Sequence, residues 1–436
     1  MENLITENRP NLSQPRLPRF LRDGLGALLM QWSKLGSWRA VGLVASTVSS
    51  VWMARCLGPQ KLGMSAMVMA TLQQLYFLVG LNQDPALVRA YVGETLEPKR
   101  QELVNAVFEF RLGTALVLLA LVAVMLLFRG VPSEWMLCVA AGAPLLLLGG
   151  NLPNWLLQAK QQSADIYRTQ ALGSILIALF ALAFMRPGVM AGADLVIAGF
   201  AAVFTGFIGW QFALGPQFRF AFSWGRLKNF LPVLMQGRWL AVTGAVIYVY
   251  SNAELPLLGY LSSVADAGHY RVALVPATVM ASFVAMLPTL LYPGFIELAR
   301  KDPRQLWQRQ CELARTGLLI IGPLSLITWS ALPFAVRLLY GPAYEDAAAP
   351  ATILLISKYV VALNGIFTWA LWAQGRDKSM LFLMILVAAL SITSNFLLIP
   401  VYGAKAAALI NLASELLILG GSFTLAKRLA FKRSKT

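Results

Sequence analysis

The chain has 436 residues, of which 58% are hydrophobic and 13% are charged, and its mean hydropathy is +0.65. These values exclude an ordinary soluble globular protein and predict a protein with several membrane-spanning segments. The formal net charge of +16 is compatible with a nucleic-acid partner. The positive residues, however, concentrate in alternate loops, which is a signal of membrane topology. We therefore expect no nucleic-acid partner.

The first 34 residues differ in character from the rest of the chain. Three prolines before residue 19 are typical of an unstructured tail. Leu21, Leu25 and Leu28 then recur at helical spacing among charged residues, which predicts a helix that lies in the membrane interface. We interpret residues 1–34 as a cytoplasmic tail followed by this interfacial helix.

Apolar blocks of about 20 residues, the length needed to cross a bilayer, follow one another from residue 35 to residue 427. Twelve spans are predicted, at 36–56, 63–84, 106–128, 135–157, 168–186, 193–213, 230–252, 269–292, 312–337, 348–373, 379–400 and 404–426. Most Lys and Arg residues fall in the loops on the side of the N-terminus, so both termini are expected in the cytoplasm.

The two halves of this series begin alike: each has an arginine, then a charged residue at the same interval, a Leu-Gly pair and a glycine. These residues are Arg39, Arg55, Leu57-Gly58 and Gly63 in the first half, and Arg238, Glu254, Leu258-Gly259 and Gly268 in the second. Parallel repeats of this kind indicate a transporter with its substrate site between two lobes. The predicted fold is an all-α integral membrane protein with twelve transmembrane helices in two six-helix lobes: an N-lobe at 35–213, a cytoplasmic linker at 214–229, a C-lobe at 230–427 and a basic tail at 428–436.

When the basic residues near span ends are counted with the loops, three remain that are assigned to the spans themselves: Arg39, Arg238 and Lys358. A cation inside a membrane helix is costly, so it normally faces water, a partner or a substrate. Lys358 lies near the middle of its span and Arg39 is the shallowest of the three. The alternatives are that each side chain reaches the interface, or that it forms a structural ion pair with Glu254 or Glu415.

Three acidic residues are candidates for ion coupling or for a counter-charge: Glu415, Glu254 and Asp84. Glu415 lies within the last predicted span, where Asn411 shares its helix face. Glu254 and Asp84 lie near predicted span ends, which favours solvated helix termini. The single histidine, His269, is expected in an outer loop.

Motifs for other chemistry are missing from the sequence. No Gly-rich phosphate loop, metal-ligand cluster or nucleophile elbow is present, and no cofactor or metal is expected. The three cysteines match neither a metal site nor a disulfide framework. The sequence therefore favours a transporter over an ATP-driven pump or an enzyme.

Several ordered segments resemble one family. They are ARCLGPQKLG at 54–63, the stretch from Leu258-Gly259-Tyr260 to Gly268-His269-Tyr270, LYP at 291–293, YGPAY at 340–344 and IPVYGA at 399–404. In this order they resemble the polysaccharide transport family, the Wzx-type lipid-linked oligosaccharide flippases. That family belongs to a superfamily that also contains multidrug-and-toxin exporters. Where many members have an aspartate near the end of span 7, this sequence has Glu254.

The resemblance implies a flippase in the bacterial inner membrane. It would carry an undecaprenyl-diphosphate-linked oligosaccharide, such as an O-antigen, capsule or exopolysaccharide repeat unit, to the outer leaflet by alternating access. A central cavity would then hold the diphosphate with the cations Arg39, Arg238 and Lys358, because buried anions need charged partners. A polysaccharide polymerase and chain-length components are the implied partners.

Three alternatives remain open at this point. A multidrug exporter of the same superfamily would place acids and aromatic residues in its cavity, because its usual substrates are cationic. A flippase for the peptidoglycan lipid precursor commonly has additional helices. A membrane polymerase or ligase typically needs a large outer loop, whereas the outer loops predicted here are short.

Overall fold

The protein is all-helical in the part that the computed structural model describes, and this confirms the predicted class. The described residues are 24–432, apart from 82, 131, 150, 161, 216–234, 236–240, 243, 247, 249–251 and 285–286. The N-terminal half has seven helices: α1 Gly24–Gly80, α2 Asp84–Gly93, α3 Glu97–Arg129, α4 Ser133–Pro144, α5 Asn154–Ala159, α6 Ser163–Phe184 and α7 Ala193–Leu214. The C-terminal half has α8 Glu254–Leu261, α9 Val264–Val284, α10 Leu287–Lys301, α11 Pro303–Tyr340, α12 Ala348–Ala373 and α13 Asp377–Lys432.

Seven segments of the described chain are long and apolar enough to span a membrane. Many large apolar side chains on them are exposed, as a lipid-facing surface requires: Phe128 on α3 and Leu319 on α11 are 88% and 74% exposed. The chain is therefore a multi-pass membrane protein. The twelve-helix count remains a prediction, because most of the span predicted at 230–252 and the linker at 214–229 lie outside the described residues.

Two of the long helices are bent pairs of spans. Helix α1 bends at Gly58, and α13 bends at Gly403. Gly58 has φ 73° and ψ 169°, a region of backbone conformation that is essentially restricted to glycine. Pro59 follows it and has the fixed φ that suits the first turn of a new helix. The LGP segment thus reverses the chain between two spans, as its sequence predicts.

Gly58→Ala isolates the backbone part of this bend, because a Cβ there would have open space around it. We expect the substitution to lower the free energy of unfolding by about 2 kcal/mol, the cost of forcing a Cβ into this conformation. Unfolding of the purified protein in detergent measures it. Gly80→Ala is the matched control, since it also adds a methyl group in open space but without a positive φ. Equal stability of the two variants would show that a Cβ at residue 58 causes no backbone strain.

Several predicted span boundaries and one predicted loop position are wrong. The span predicted at 135–157 is interrupted, because α4 passes into a π-helical turn at Leu145–Gly149 and the chain resumes a helix only at Asn154. The span predicted to begin at 106 begins at Glu97. His269 lies within helix α9, not in a loop, and its side chain is buried.

The helices of each half pack on one another, and the halves meet mainly where α1 contacts α9. The largest buried apolar cluster includes residues of both halves, among them Met53 and Leu57 of α1, Tyr270 of α9 and Ala407 of α13. Gly403 lies close to Asp266 near the start of α9, so both bends are at one end of the bundle. We call this end the Gly58 end.

Candidate functional site

A buried carboxylate occupies the centre of a hydrogen-bond network in the C-terminal half. Glu254, the first residue of α8, is 4% exposed. The Tyr270 hydroxyl of α9 donates to its Oε2 atom, and Asn411 Nδ2 of α13 donates to its Oε1 atom at 2.9 Å. Both carboxylate oxygens therefore have partners, which a carboxylate in a membrane protein interior requires.

The network continues along α12 and α13. Ser357 Oγ donates to Asn411 Oδ1 at 2.7 Å. Asn364 Nδ2 donates to Glu415 Oε2 at 2.7 Å and to the Glu415 carbonyl oxygen at 3.0 Å. Asn411 and Glu415 are one helical turn apart, so polar side chains of α12 face one stripe of α13.

Lys358 lies beside this network, next in sequence to Ser357, and is half-buried. The charges of Lys358 and Glu415 both act on the Glu254 carboxylate. Three of the six residues predicted for the site, Glu254, Lys358 and Glu415, are therefore brought together. Glu254 is at a helix terminus, as predicted, but the prediction that it is solvated is wrong, because its carboxylate is buried.

Arg39 has different partners. Its guanidinium lies 5.3 Å from the ring centroid of Tyr167 in α6, and Nη1 is 3.5 Å from the Tyr167 hydroxyl oxygen. This is a cation-π contact within the N-terminal half. The structure thus separates Arg39 from the cluster at Glu254, and Arg238 lies outside the described residues.

Asp84 forms an ion pair with Arg111. The distance from Arg111 Nη2 to Asp84 Oδ1 is 2.5 Å, and the two side chains are 6% and 42% exposed respectively. Arg111 lies near the start of the span predicted at 106–128. Helix α3, however, begins about four turns before Arg111, and the Arg111 side chain is buried beside α2. Asp84 is thus a structural partner of an arginine as well as a helix terminus.

Two further charged residues were missed as site candidates by the sequence reasoning. Ser65 of α1 hydrogen-bonds the Asp194 side chain of α7, and Arg271 of α9 attracts Asp194. In the span predicted at 269–292, Arg271 is near the outer end. The observed helix α9 begins earlier, at Val264, so Arg271 lies about two turns inside it. Asp194 and Arg271 belong to different halves, so this attraction acts between the halves.

The backbones of the two halves are in contact at the Gly58 end. A Cβ at Gly63 of α1 would overlap the carbonyl oxygen of Val264, and one at Gly268 of α9 would overlap the carbonyl oxygen of Pro59. The two glycines that correspond in the sequence repeat thus face each other. Only residues without a side chain permit this approach.

Polar contacts tie the halves together beside these glycines. Arg55 Nε and Nη2 donate to the carbonyl oxygens of Leu339 and Leu338, at 2.6 and 2.8 Å, where α11 ends. The Tyr344 hydroxyl donates to the Ala54 carbonyl oxygen at 2.8 Å. An arginine is well suited to the free carbonyl groups and the negative dipole at a helix C-terminus.

Arg55→Ala is expected to shift the population away from this closed arrangement by about tenfold, since two hydrogen bonds of a partly solvated cation are lost. Distance distributions between spin labels on the two halves at the Gly58 end measure the shift. Arg337→Ala is the control, because Arg337 pairs at 3.8 Å with Glu345 and both side chains are largely exposed. An unchanged distribution in Arg55→Ala would show that these bonds do not hold the halves together.

A cavity of 420 Å³ lies between the halves, away from the Gly58 bend. Its lining is neutral and includes Gln73 and Tyr76 of α1 together with Tyr248 and Asn252. Gln74 Nε2 donates to the Asn252 carbonyl oxygen at 3.2 Å beside it. None of the predicted cations is among the described residues that line this cavity.

The comparisons with known proteins give one family and one fold. A sequence model of the family described as "Polysaccharide biosynthesis protein" matches residues 32–299. No curated protein sequence matches the chain significantly.

Three solved structures illustrate the likeness in fold. The lipid II flippase MurJ in an inward closed conformation has a TM-score of 0.70 at 13% identity, over 90% of this chain and 87% of that one. An inward-facing multidrug resistance MATE family transporter of the MOP superfamily has 0.66 at 14% identity, over 90% and 96%. An outward-facing transporter of that description has 0.57 at 14% identity, over 93% and 96%. The chain shares the fold of these membrane transporters.

Proposed function

Because the chain belongs to the family of polysaccharide biosynthesis proteins, we propose that it is a flippase for an undecaprenyl-diphosphate-linked oligosaccharide. It moves an O-antigen, capsule or exopolysaccharide repeat unit from the cytoplasmic leaflet to the outer leaflet of the bacterial inner membrane. The family match over residues 32–299 is the observation that carries the proposal. Translocation makes and breaks no covalent bond, so the protein is not an enzyme.

The proposed architecture has twelve spans in an N-lobe at 35–213 and a C-lobe at 230–427, joined by a cytoplasmic linker at 214–229. The interfacial segment 1–34 and the basic tail 428–436 are also cytoplasmic. The excess of positive charge on one side of the predicted topology supports this orientation. The Gly58 end then faces the outside.

The proposed mechanism is alternating access, with the outer end closed in this conformation. The glycine contact between α1 and α9 and the Arg55 hydrogen bonds support closure there. The higher TM-score with the inward-facing transporter, 0.66 against 0.57 for the outward-facing one, agrees with this. Opening would require the two halves to separate at these contacts.

The cations Lys358, Arg39 and Arg238 are proposed to hold the diphosphate. Glu254 and Glu415 are proposed to act as counter-charges to these cations or to bind a coupling ion. An anion inside a membrane protein needs fixed positive charge to offset its lost hydration. In the described state the charge of Lys358 acts on the Glu254 carboxylate instead. A substrate anion that drew Lys358 away would leave this carboxylate ready to take up a cation or a proton. Asp84 is the weakest of the proposed coupling residues, since Arg111 already pairs with it.

The test is reconstitution of the purified protein in liposomes with a polyprenyl-diphosphate sugar labelled on the sugar. We expect movement to the opposite leaflet at a rate well above that of protein-free liposomes. A polyprenyl monophosphate sugar of the same chain length is the matched comparison for the diphosphate. Movement of neither lipid, with extrusion of cationic dyes instead, would overturn the proposal in favour of a multidrug exporter.

The exporter is the second candidate, because two of the structures of similar fold are described as multidrug resistance transporters. A third structure of similar fold is a lipid II flippase, so lipid II is the competitor to include in the liposome assay. If the function is a flippase for polysaccharide units, a polymerase and chain-length components are the partners expected to receive its product.

A further inference from the structure

An apolar groove runs along the outer surface of α13, between the helix segments on either side of its bend. It encloses 760 Å³ and is lined by Phe382, Leu386, Leu417 and Gly420 among others. Phe382 and Leu417 are 72% and 49% exposed, so the groove opens to the surroundings and not to the protein interior. In a membrane protein such a surface faces lipid chains.

Two adjacent glycines shape this groove in different ways. A Cβ at Gly421 would lie 2.6 Å from Leu383 Cδ1, so the helix segments approach closely on that side. A Cβ at Gly420 would meet nothing within 4 Å. The lack of a side chain at Gly421 therefore lets the two segments approach closely, while Gly420 leaves the groove between them open.

One end of the groove is polar and positively charged. Lys378, Ser379 and Thr424 line that end, and all three side chains are exposed. Arg376 is also exposed, and Lys427 and Arg428 add two more exposed cations about one turn beyond Thr424, in the other segment of α13. The other lining residues named above are apolar, so the groove has a cationic head and an apolar body.

The length of the groove matches one leaflet. Lining residues run from Lys378 to Leu386, which is about 12 Å along a helix. Half of a hydrocarbon core of about 30 Å is about 15 Å. Basic pockets between transmembrane helices on the cytoplasmic side are a recurrent binding site for anionic lipid head groups.

We propose that the α13 groove binds one anionic phospholipid, with its phosphate at Lys378 and Ser379 and an acyl chain along Leu386, Leu417 and Gly420. The site lies on the lipid-facing surface, apart from the Glu254 network, and does not depend on which substrate the protein carries. The bound lipid fills the space between the two segments of α13. A groove of this kind would make the stability of the protein depend on the anionic lipid content of the membrane.

The experiment uses the delipidated full-length protein and native mass spectrometry with dioleoylphosphatidylglycerol and dioleoylphosphatidylcholine, which have the same acyl chains. We expect the wild type to bind phosphatidylglycerol more tightly, and Lys378→Gln to reduce that preference by about fivefold, as the loss of one basic residue near an anionic lipid should. Lys405→Gln is the matched control, because Lys405 is exposed just beyond the Gly403 bend, about 40 Å along the helix from Lys378 and at the opposite end of its two segments.

Gly420→Trp tests the groove itself. The indole fills the open space, and we expect the tight phosphatidylglycerol site to be lost. Leu319→Trp places the same group at a 74% exposed position on α11 and should leave lipid binding unchanged. If Gly420→Trp does not fold, the comparison of Lys378→Gln with Lys405→Gln still tests whether the groove binds an anionic lipid.

Three results would overturn the proposal: equal affinity of the wild type for the two lipids, undiminished binding in Gly420→Trp, or an equal effect of Lys378→Gln and Lys405→Gln. Undecaprenyl phosphate that displaced phosphatidylglycerol from the wild type at equal concentration would also overturn it. The occupant would then be the chain of a carried lipid.

Discussion

Lys358→Ala is expected to lower the rate of translocation by about 100-fold. Without the lysine, the buried Glu254 carboxylate loses the cation whose charge acts on it. Leaving a buried carboxylate without its compensating cation typically costs about 3 kcal/mol or more, which corresponds to roughly 100-fold in an equilibrium. The measurement is transfer of the labelled polyprenyl-diphosphate sugar in liposomes, normalised to the amount of folded protein.

Two variants separate a substrate contact from a structural ion pair. Lys358→Arg retains the charge but changes its geometry, so it should retain part of the rate. The double variant Lys358→Met with Glu254→Gln removes both charges, and Glu254→Gln alone is its reference. If Lys358 only neutralises Glu254, the double variant is as fast as Glu254→Gln alone. If Lys358 holds the diphosphate, the double variant is slower than Glu254→Gln alone.

Lys405→Ala is the control for a lysine that is exposed and remote from the network, and we expect its rate to be unchanged. Full activity of Lys358→Ala at normal abundance would contradict the role of Lys358 in a cationic site. That outcome would leave the flippase proposal itself standing, because it rests on the family match.

The general features of the fold could be predicted because they depend on short-range properties of the chain. Apolar length predicts spans, and the bend at Gly58 follows from a glycine and a proline at the junction of two apolar blocks. The bend at Gly403 lies likewise within the IPVYGA segment. The family resemblance rested on these same junctions, and the match over residues 32–299 confirms it.

The pairing of charged residues could not be predicted, because it depends on contacts between helices far apart in sequence. The hydropathy pattern predicted the end of a span at residue 252 because polar residues follow, yet Glu254 begins helix α8 and is buried, because Tyr270 and Asn411 satisfy its carboxylate. Arg111, near the start of the span predicted at 106–128, is likewise buried and pairs with Asp84. A polar residue indicates a span end only when no partner elsewhere in the fold reaches it.

Gly63→Ala is expected to lower the free energy of unfolding by about 3 kcal/mol and to open the Gly58 end. The added methyl group would overlap the Val264 carbonyl oxygen and lie 2.9 Å from the Gly268 nitrogen, so it meets backbone atoms that cannot rotate away. Overpacking of this kind typically costs about 1–3 kcal/mol, and a backbone obstacle puts it at the upper end. Unfolding in detergent measures the stability. Spin labels at Gln60 and Tyr260, on a background with the three cysteines replaced, measure the separation of the halves.

Gly268→Ala should have a similar effect, because its methyl group would overlap the Pro59 carbonyl oxygen in the same contact. The double variant should lose less than the sum of the two single losses, since helices that one methyl group has separated leave room for the second. Gly80→Ala is the matched control: its Cβ has open space in a helix, so it should be neutral or slightly stabilising. If Gly63→Ala were as stable as Gly80→Ala, with unchanged label distances, the two halves would not be in backbone contact in solution. The closed outer end would then depend on the side-chain contacts of Arg55 and Tyr344 alone.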